Sequence, residues 1–429
     1  AILGGGTGGL ELAERLGDPL GRRGRAAVTL VDADLTHLCK PLFHAAAAGT
    51  LNSHEEDSAY LALARLHHFR FRLGRMSGLD RGRREIVVAP TVAESGHEIV
   101  PQRRFRYDTL VIAVGSVTND FGTPGVREHC LFLDRRDEAD RFQQLLLKQY
   151  LRAQTQAGPL HEGQLNVAIV GGGATGVELA AELHDASRQF VAYGLDRIAP
   201  ERDVRISVVE AAERVLPALP QRISTAVTVQ LRRLGIRVYS GEMVSRVTAD
   251  GLHTRSGLFI KAQMKVWAAG IRAPEFLSEL DGLEANRIHQ LVVRPTLQTT
   301  RDDSVFAFGD CAACPRPGSG QPVPPRAQAA QQQARLLART IPRRIRGRPL
   351  PVYVYRDHGS LISLSRYTAV GNLMSGVKGG LMIEGAVARA AYAMLYKRHL
   401  MALYGPYRVL MNTVGDALRR GTSPRMKLH

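Results

Sequence analysis

The chain has little cysteine: four residues among 429, too few for a disulfide framework, so we expect a reducing compartment. It also lacks any uncharged apolar run of about 18 residues, which argues against a transmembrane helix. Acidic residues are outnumbered, 40 Asp and Glu against 57 Lys and Arg, leaving a formal net charge of +17. This surplus points to an anionic partner, either nucleic acid or a membrane surface.

Nucleic acid is the weaker of these two partners. The sequence contains no zinc-finger spacing, RNA-binding signature or long basic run, so we expect no nucleic-acid function. Its length favours two or three domains over a single core. Because the chain starts inside an apolar strand, we also expect a short N-terminal piece to precede it.

Two glycine fingerprints of the G-x-G-x-x-G type dominate what is present. Each follows an apolar strand and opens a helix, and the glycines are Gly4, Gly6 and Gly9 in the first and Gly171, Gly173 and Gly176 in the second. Such glycines permit a tight turn and close approach to a pyrophosphate, which the helix N-terminus then binds. One fingerprint alone is often an ordinary turn, but two predict two dinucleotides, namely FAD and NADH.

Each fingerprint has an acidic partner at the end of the next strand, Asp32 for the first and Glu210 for the second. A carboxylate there accepts hydrogen bonds from ribose hydroxyls. Glu210 should also repel a 2′-phosphate, which favours NADH over NADPH, although Arg214 lies four residues further on and weakens this inference.

Three further strands run into small-residue turns that suit a dinucleotide. These turns contain Gly115, Gly270 and the pair Gly309-Asp310. For Gly309-Asp310 alone a plain turn is the simpler interpretation. After a Pro/Gly loop, an Ala/Gln-rich segment predicts a helix start. Gln328 and Gln332 lie one turn apart on it and could hydrogen-bond a quinone carbonyl, although a solvated helix is the alternative.

The C-terminal segment from Leu381 mixes large apolar side chains with cations, and Gly405-Pro406 divides it into two predicted helices. Basic amphipathic helices without a spanning run are typical of a monotopic membrane surface. Packing on the rest of the chain, or at a dimer seam, is the alternative.

The four cysteines indicate whether the chain could carry out disulfide reduction, sulfide oxidation or zinc binding. A disulfide reductase with two dinucleotide-binding domains needs two cysteines near the flavin. Cys39 is in a suitable place, but the position where its partner cysteine would be expected is His44. Cys39 and Cys130 leave open a sulfide-oxidising pair. Cys311 and Cys314 form a lone C-x-x-C, which without a second pair does not indicate a zinc site. We therefore expect structural thiols and no metal.

The predicted fold class is α/β, with two Rossmann-like dinucleotide-binding domains and a C-terminal membrane-associating region. The predicted segments are 1–118, FAD domain; 119–164, connection; 165–288, NADH domain; 289–348, FAD domain again; and 349–429, membrane-associating region.

The chain resembles the type II NADH dehydrogenases, single-subunit NADH:quinone oxidoreductases that do not pump protons, and is most similar to bacterial respiratory members. The resemblance covers nearly the whole chain and rests on residues 37–44, 119–125, 170–179, 266–271, 327–332, 355–361, 382–385 and Lys427-Leu428-His429. The pattern Ala-Gln-x-Ala-x-Gln at 327–332 matches the family's quinone-site signature. The chain departs from the family pattern at Cys39, where an aromatic residue is usual, and at His358, where some members have Lys.

The resemblance implies a role for each matching position. It places Lys40 and Pro41 in the loop lining the flavin, Asp310 at the flavin's ribityl chain or phosphate, and Glu178 at the nicotinamide as a proton relay; a helix-start carboxylate is the alternative for Glu178. It also places Gln328 and Gln332 at the quinone.

The implied reaction passes two electrons from NADH through FAD to ubiquinone or menaquinone in separate half-reactions. The implied protein is a homodimer on the cytoplasmic face of the inner membrane, bound to anionic lipid through its C-terminal helices. Two alternatives share the architecture: a redox-sensing flavoprotein like apoptosis-inducing factor, and an enzyme like sulfide:quinone oxidoreductase.

Overall fold

The protein is described by a computed structural model that covers residues 1–51, 57–93, 95–318, 320–365, 367–373 and 381–419. The chain forms two compact units. Unit 1 comprises Ala1–Cys39, Asp57–Val117 and Ile271–Asp357, and unit 2 comprises Lys40–Glu56, Thr118–Gly270 and His358–His429. The finer division into five segments stays a prediction.

The described helices and strands have the following bounds. The helices are α1 Thr7–Leu16, α2 Phe43–Ala48, α3 Tyr60–Leu66, α4 Val126–His129, α5 Arg136–Thr155, α6 Ala174–Ala192, α7 Pro200–Asp203, α8 Gln221–Arg233, α9 Ala327–Ile345, α10 Gly385–Tyr404 and α11 Pro406–Arg419. The strands are β1 Ile2–Leu3, β2 Thr29–Asp32, β3 Thr36–His37, β4 Ser58–Ala59, β5 Arg70–Leu73, β6 Met76–Asp80, β7 Glu85–Val88, β8 Thr91–Val92, β9 Glu98–Val100, β10 Arg103–Arg106, β11 Leu110–Ile112, β12 Val117–Thr118, β13 Asn166–Val170, β14 Arg205–Glu210, β15 Arg237–Ser240, β16 Val244–Val247, β17 Gly251–Thr254, β18 Phe259–Lys261, β19 Met264–Trp267, β20 Ile271–Arg272, β21 Leu291–Val292, β22 Val305–Ala307, β23 Ala312–Ala313, β24 Gly359–Leu364, β25 Thr368–Leu373 and β26 Leu381–Glu384.

Unit 1 is built on a parallel sheet of order β22-β11-β1-β2-β5. Its central strand is β1, where Ile2 pairs with Leu30 on one side and Val111 on the other. The strands β1, β11 and β22 are apolar and buried because helices cover a parallel sheet on its faces, whereas the edge strand β5 has exposed arginines on either side of the buried Phe71. The helices α1 and α9 pack together in this unit, joined by an Arg335 Nε–Glu11 Oε1 ion pair of 2.8 Å.

Unit 2 repeats this design with a parallel sheet of order β15-β14-β13-β19. Its central strand β13 is buried from Val167 to Val170, and α6 follows it directly. The single tryptophan, Trp267, packs with Val170 and Val209 in the core next to this sheet. Two Rossmann-like sheets in one chain confirm the predicted α/β fold class.

The C-terminal region of unit 2 forms the antiparallel sheet β24-β25-β26 followed by α10 and α11. The chain turns at Gly405, with φ +79°, and Pro406 begins α11, so the predicted break between two helices is confirmed. The helix α11 is amphipathic, but the apolar side chains of α10 are spread around its axis. The prediction of two amphipathic helices is therefore wrong for α10, where small alanines interrupt the apolar stripe.

Some C-terminal predictions cannot be compared with the structure. The family-like Lys427-Leu428-His429 lies outside the described residues. Within the described part of the chain, the helices are too short or too polar to cross a bilayer.

Candidate functional site: two dinucleotide cradles and a glutamine-rich helix

The first glycine fingerprint forms a tight turn between β1 and α1 in unit 1. Gly4 has φ +93°, and a Cβ there would lie 2.4 Å from the Ala113 carbonyl oxygen. A Cβ at Gly9 would lie 1.8 Å from the Gly4 carbonyl oxygen. At Gly6, by contrast, no atom lies within 4 Å of that position. The outer glycines therefore serve packing, whereas Gly6 leaves open the space that a pyrophosphate needs.

Asp32 closes this turn from the end of β2. Its Oδ2 accepts a hydrogen bond from the Gly5 amide at 2.5 Å, and its Oδ1 accepts one from the Asp34 amide at 2.9 Å. Burial raises the pKa of Asp32, and the two amide donors partly offset that rise. The acid thus braces the fingerprint directly as well as lying where a ribose would bind.

Tyr60 is a residue that sequence reasoning missed. Its hydroxyl donates to the Gly5 carbonyl oxygen at 2.7 Å, and a Cβ on Gly5 would lie 2.4 Å from that hydroxyl oxygen. Burial raises the pKa of Tyr60 far above its ordinary value, so it stays a hydrogen-bond donor. Tyr60 stands at the start of α3, and no local sequence signal connects it with residue 5.

A second turn of unit 1 brings Asp310 next to Gly115. The Ser116 hydroxyl donates to Asp310 Oδ2 at 2.9 Å. Gly115 has φ +71° and no atom within 4 Å of a Cβ position. Gln333, also missed from the sequence, is buried on α9 and accepts a hydrogen bond from the Gly309 amide at 2.8 Å. This second glycine opening, on the same sheet as the first, fits an extended dinucleotide such as FAD.

The second fingerprint repeats the construction in unit 2. Gly171 has φ +109°, and a Cβ there would lie 2.6 Å from the Ala268 carbonyl oxygen. A Cβ at Gly176 would lie 2.0 Å from the Gly171 carbonyl oxygen, whereas the space at Gly173 is open. The cradle at the start of α6 therefore fits the pyrophosphate of a second dinucleotide.

Glu210 braces the second turn as Asp32 braces the first. Its Oε2 accepts from the Gly172 amide at 2.7 Å and its Oε1 accepts from the Ala212 amide at 2.8 Å. Arg214 donates to the carbonyl oxygens of Leu216 at 3.3 Å and Pro217 at 2.8 Å. The Arg214 guanidinium therefore binds its own loop and makes no hydrogen bond to Glu210 among these contacts.

Gly270 lies in the turn after β19. It has φ +65°, and a Cβ there would lie 2.4 Å from the ring of Phe121. The segment carrying Phe121 is held by two further contacts, since the Asn119 amide donates to the Gly270 carbonyl at 3.3 Å and the Trp267 indole donates to the Asn119 carbonyl at 2.9 Å. Glycine is favoured here by its backbone conformation, whereas the exposed Phe121 ring could move aside.

Lys40 and Pro41 form a single 3₁₀ turn that leads into α2. Lys40 is half-exposed, and its Nζ lies 3.1 Å from Asp134 Oδ1. The other oxygen of Asp134 accepts from the Thr118 amide at 2.7 Å. Asp134, which carried no signal of its own in the sequence, therefore orients Lys40.

Glu178 lies one turn inside α6 and is 7% exposed. Its Oε1 accepts from the Ser363 amide at 2.9 Å, and its Oε2 lies 3.7 Å from His44 Nδ1. Burial raises the pKa of Glu178 to about 8 and lowers the pKa of His44 to about 4. At neutral pH the two groups are therefore a protonated acid and a neutral imidazole, and Glu178 holds a proton that it can donate.

A second buried acid, Glu182, follows one turn later on α6. The Thr50 hydroxyl donates to its Oε2 at 2.5 Å. Burial raises the pKa of Glu182, and hydrogen bonds from Thr50 and Ser365 partly offset this. The inner face of α6 thus carries polar groups that are satisfied by hydrogen bonds, as burial requires.

Gln328 and Gln332 lie on the same side of α9, as the sequence predicted, and both contact the segment before β24. Gln328 Nε2 donates to Asp357 Oδ1 at 3.2 Å. Gln332 donates to the Arg356 carbonyl at 2.7 Å and accepts from the Arg356 amide at 3.0 Å. Gln332 is thus bound twice to one backbone residue, whereas Gln328 contacts a side chain that can rearrange.

The four cysteines are free thiols. Burial raises the pKa of Cys39, and its Sγ lies 3.6 Å from the Thr7 hydroxyl oxygen. Burial likewise raises the pKa values of Cys130 and Cys311 to about 12, which disfavours thiolate chemistry. Across the described ranges of the chain, no group of His, Cys, Asp and Glu side chains is arranged to hold a metal ion.

Comparison with known proteins places this geometry in a family. Residues 1–334 match the family described as pyridine nucleotide-disulphide oxidoreductase. The chain is 44% identical to the type II NADH:quinone oxidoreductase of Haemophilus influenzae, over all of this chain and 99% of that protein. It is 26% identical to the Staphylococcus aureus protein of the same name, over 91% of this chain and 94% of that one.

Solved structures share the fold at lower identity. NDH2 of Plasmodium falciparum in complex with NADH superposes with a TM-score of 0.82 at 18% identity, covering 100% of this chain and 99% of that one. The sulfide:quinone oxidoreductase of Aquifex aeolicus gives 0.71 at 17% identity, covering 94% and 91%. Given the match of residues 1–334 and the 44% identity over its full length, the chain belongs to the pyridine nucleotide-disulphide oxidoreductases and, among them, to the type II NADH:quinone oxidoreductases.

Proposed function

We propose that this chain oxidises NADH and reduces a membrane quinone, with FAD as its bound electron carrier. The observation that carries the proposal is the presence of two complete dinucleotide cradles, each with a bracing acid, in a chain of this family. When bound, FAD supplies the chemistry that accepts two electrons from one substrate and passes them to another. The protein supplies binding, orientation and proton control.

The cradle in unit 1 holds FAD. Gly4, Gly6 and Gly9 form the pyrophosphate turn, Asp32 accepts from ribose hydroxyls, and Asp310 with Gly115 forms the second contact. We assign Lys40 and Pro41 to a loop that lines the flavin, and Gly270 to the cofactor-binding turn of the nicotinamide domain. Among these, Lys40 adds a positive charge that would stabilise the reduced, anionic cofactor.

The cradle in unit 2 binds NADH at Gly171, Gly173, Gly176 and Glu210. The Glu210 carboxylate accepts from ribose hydroxyls and repels a 2′-phosphate, so NADH is preferred over NADPH. Glu178 is the proton source near the nicotinamide, because its raised pKa of about 8 keeps it mostly protonated at neutral pH and able to give up its proton.

Quinone binds against the N-terminal part of α9. Gln328 is the hydrogen-bonding amide, because its contact with Asp357 can exchange for a contact with the quinone. Gln332 supports the site by holding Arg356 in place. This assignment separates two glutamines that the sequence pattern treats alike.

The enzyme binds an anionic membrane on the cytoplasmic face of the inner membrane as a homodimer. Support comes from the exposed apolar side chains of α10 and α11, of which Tyr407 is 74%, Met394 66% and Leu410 61% exposed. Such side chains beside cations are typical of helices that lie in a membrane interface. Removing residues 381–429 should release the protein from vesicles.

The decisive test follows the flavin absorbance of the purified holoprotein under anaerobic conditions. NADH should bleach the flavin and a short-chain quinone should restore it, whereas NADPH should bleach it far more slowly. Bleaching without recovery would favour a redox-sensing flavoprotein. Bleaching by sulfide in place of NADH would favour a sulfide-oxidising enzyme.

The quinone site is tested in the same assay with Gln328→Ala. We expect slower recovery by quinone, with bleaching by NADH unchanged, because only the second half-reaction uses this amide. Gln331→Ala is the matched control, since Gln331 lies on the same helix. Equal loss of both half-reactions would assign Gln328 to folding or to FAD binding.

A further inference from the structure

The segment from Arg326 to Arg356 has an unusual charge pattern. It contains eight arginines and no Asp or Glu, so it accounts for a large part of the net charge of +17. Neither dinucleotide cradle uses these arginines. The stretch covers α9 and the extended chain after it, both in unit 1.

Several of the eight arginines have structural partners. Arg335 pairs with Glu11 at 2.8 Å, Arg326 lies 3.5 Å from Asp357, and Arg344 donates to the Thr109 hydroxyl at 2.7 Å. Arg343 donates to the Pro349 carbonyl at 2.8 Å. These contacts attach α9 to the body of unit 1.

The other arginines face solvent. Arg339, Arg346, Arg348 and Arg356 are exposed, and no carboxylate among the described residues pairs with them. Exposed guanidinium groups without a carboxylate partner maintain a positive potential at the surface. Such a face suits an anionic ligand.

An apolar ridge lies beside these cations. In the extended segment before β24, Tyr353 and Tyr355 are buried, whereas Val352 and Val354 are 54% and 64% exposed. Together with Leu336 and Arg339 on α9, the valines line an open groove of about 480 Å³. The ligand of this surface must therefore be both anionic and apolar.

We propose that this surface, made of α9 and residues 346–356, binds anionic phospholipid. Guanidinium groups bind phosphate through paired hydrogen bonds, and the valine ridge provides an apolar contact for the glycerol and upper acyl region. Nucleic acid fits less well, because the two tyrosines that could stack on bases are buried. The proposal rests on the membrane-bound function above, but it assigns a contact in unit 1 that is separate from α10 and α11.

The test is sedimentation of the full-length holoprotein with vesicles of phosphatidylcholine containing either no or 30% phosphatidylglycerol. The variant Arg339→Gln/Arg346→Gln should bind the anionic vesicles roughly 25-fold more weakly, because each lost cation near the surface costs about fivefold. Binding to pure phosphatidylcholine should change little. The variant Val352→Ser/Val354→Ser should weaken binding to both kinds of vesicle.

A matched control shows whether vesicle binding depends on this surface or only on the total charge of the protein. Arg232→Gln/Arg233→Gln removes two exposed cations at the end of α8 in unit 2, and it should leave vesicle binding unchanged. An equal loss in this control, or unaltered binding in the α9 variant, would overturn the proposal. So would loss of DNA retention in the α9 variant with vesicle binding intact.

The same preparations distinguish this proposal from the catalytic one. Turnover of NADH with a water-soluble quinone should be the same in wild type and in the α9 variants. The wild-type protein could bind anionic vesicles through α9 and yet fail to reduce quinone. That result would support the lipid-binding surface and contradict the proposed reaction.

Discussion

The two dinucleotide cradles are built in almost the same way. In each, an acid at the end of the second strand accepts two backbone amides, one from the middle of the glycine turn and one from two residues after itself. For Asp32 these donors are Gly5 and Asp34, and for Glu210 they are Gly172 and Ala212. The carboxylate therefore builds the turn before any ligand binds, which is why the acid recurs with the glycines.

The cradles differ in what closes them. At the first, the buried Tyr60 ring packs against Gly5 and its hydroxyl binds the Gly5 carbonyl. At the second, the Gly172 carbonyl accepts from the backbone amide of Leu216 at 2.7 Å, and the side chains of Glu210 and Val215 lie next to Gly172. The first cradle is thus closed by a buried side chain from a distant helix, and the second by the backbone of the loop that follows its own acid.

The largest expected effects come from the glycines that pack the helix against the turn. Gly9→Ala and Gly176→Ala each place a methyl group about 2 Å from a backbone oxygen, at 1.8 and 2.0 Å respectively, which costs roughly 3 kcal/mol or more. Gly9→Ala should yield protein without FAD. Gly176→Ala should retain FAD but lose bleaching by NADH. Flavin content and anaerobic reduction measure the two losses separately.

The middle-turn glycines provide the control. Gly6 and Gly173 have no neighbouring atoms at the Cβ position, so Gly6→Ala and Gly173→Ala should fold normally. Each should still weaken its own dinucleotide, because the methyl group occupies ligand space. If Gly173→Ala lost FAD instead of NADH affinity, the assignment of the two cradles would be reversed.

The comparison also shows what the sequence could and could not reveal. Some features could be predicted because they depend only on residues that are neighbours in the sequence. These are the glycine spacing, the acids Asp32 and Glu210, and the helix break at Gly405. Tyr60 and Gln333 support the cradles from residues far away in sequence, by hydrogen bonds to Gly5 and Gly309. Without the fold, nothing distinguishes them from other buried polar residues.

A second limit concerns residues that look equivalent in sequence. Gln328 and Gln332 share one motif, yet one contacts the Asp357 side chain and the other the Arg356 backbone. Their partners come from a separate extended segment whose register the sequence does not determine. The pKa of Glu178 also depends on tertiary structure. Burial by α2 and β24 affects it more than its position in α6 does.

Glu210→Gln should produce the next largest effect. The amide keeps one acceptor for the backbone but loses the negative charge and part of the ribose contact, so the KM for NADH should rise about tenfold. Discrimination against NADPH should fall, because the repulsion of a 2′-phosphate is gone. Asp32→Asn is the counterpart in the first cradle and should lower FAD retention with no change in coenzyme preference.

The pH dependence of stability gives a smaller but specific effect. The pKa of Glu178 is raised from 4.5 to about 8, so its contribution to stability is lost as pH rises through that range. The pKa of His44 is lowered from 6.5 to about 4, so its contribution is lost as pH falls below 6.5. Between pH 6.5 and 8 only Glu178 of this pair titrates.

Glu178→Gln should therefore reduce the fall in unfolding free energy between pH 6.5 and 8. Urea unfolding at the two pH values measures it. Glu201→Gln is the control, because its side chain is 69% exposed beside Arg188 and should leave the slope unchanged. A slope in Glu178→Gln as steep as in wild type would mean that the carboxyl is ionised in the folded protein at neutral pH.

Arg214 tests the smallest expected effect at the second cradle, where it lies four residues after Glu210. Its guanidinium donates to the carbonyl oxygens of Leu216 and Pro217, so it holds the loop and is not directed at a ribose. Arg214→Ala should lower stability by about 1 kcal/mol and leave the ratio of NADH to NADPH activity within about twofold. A sharp loss of the residual NADPH activity would instead show that the guanidinium leaves its loop to meet a 2′-phosphate. In that case coenzyme choice would depend on a balance between Arg214 and Glu210.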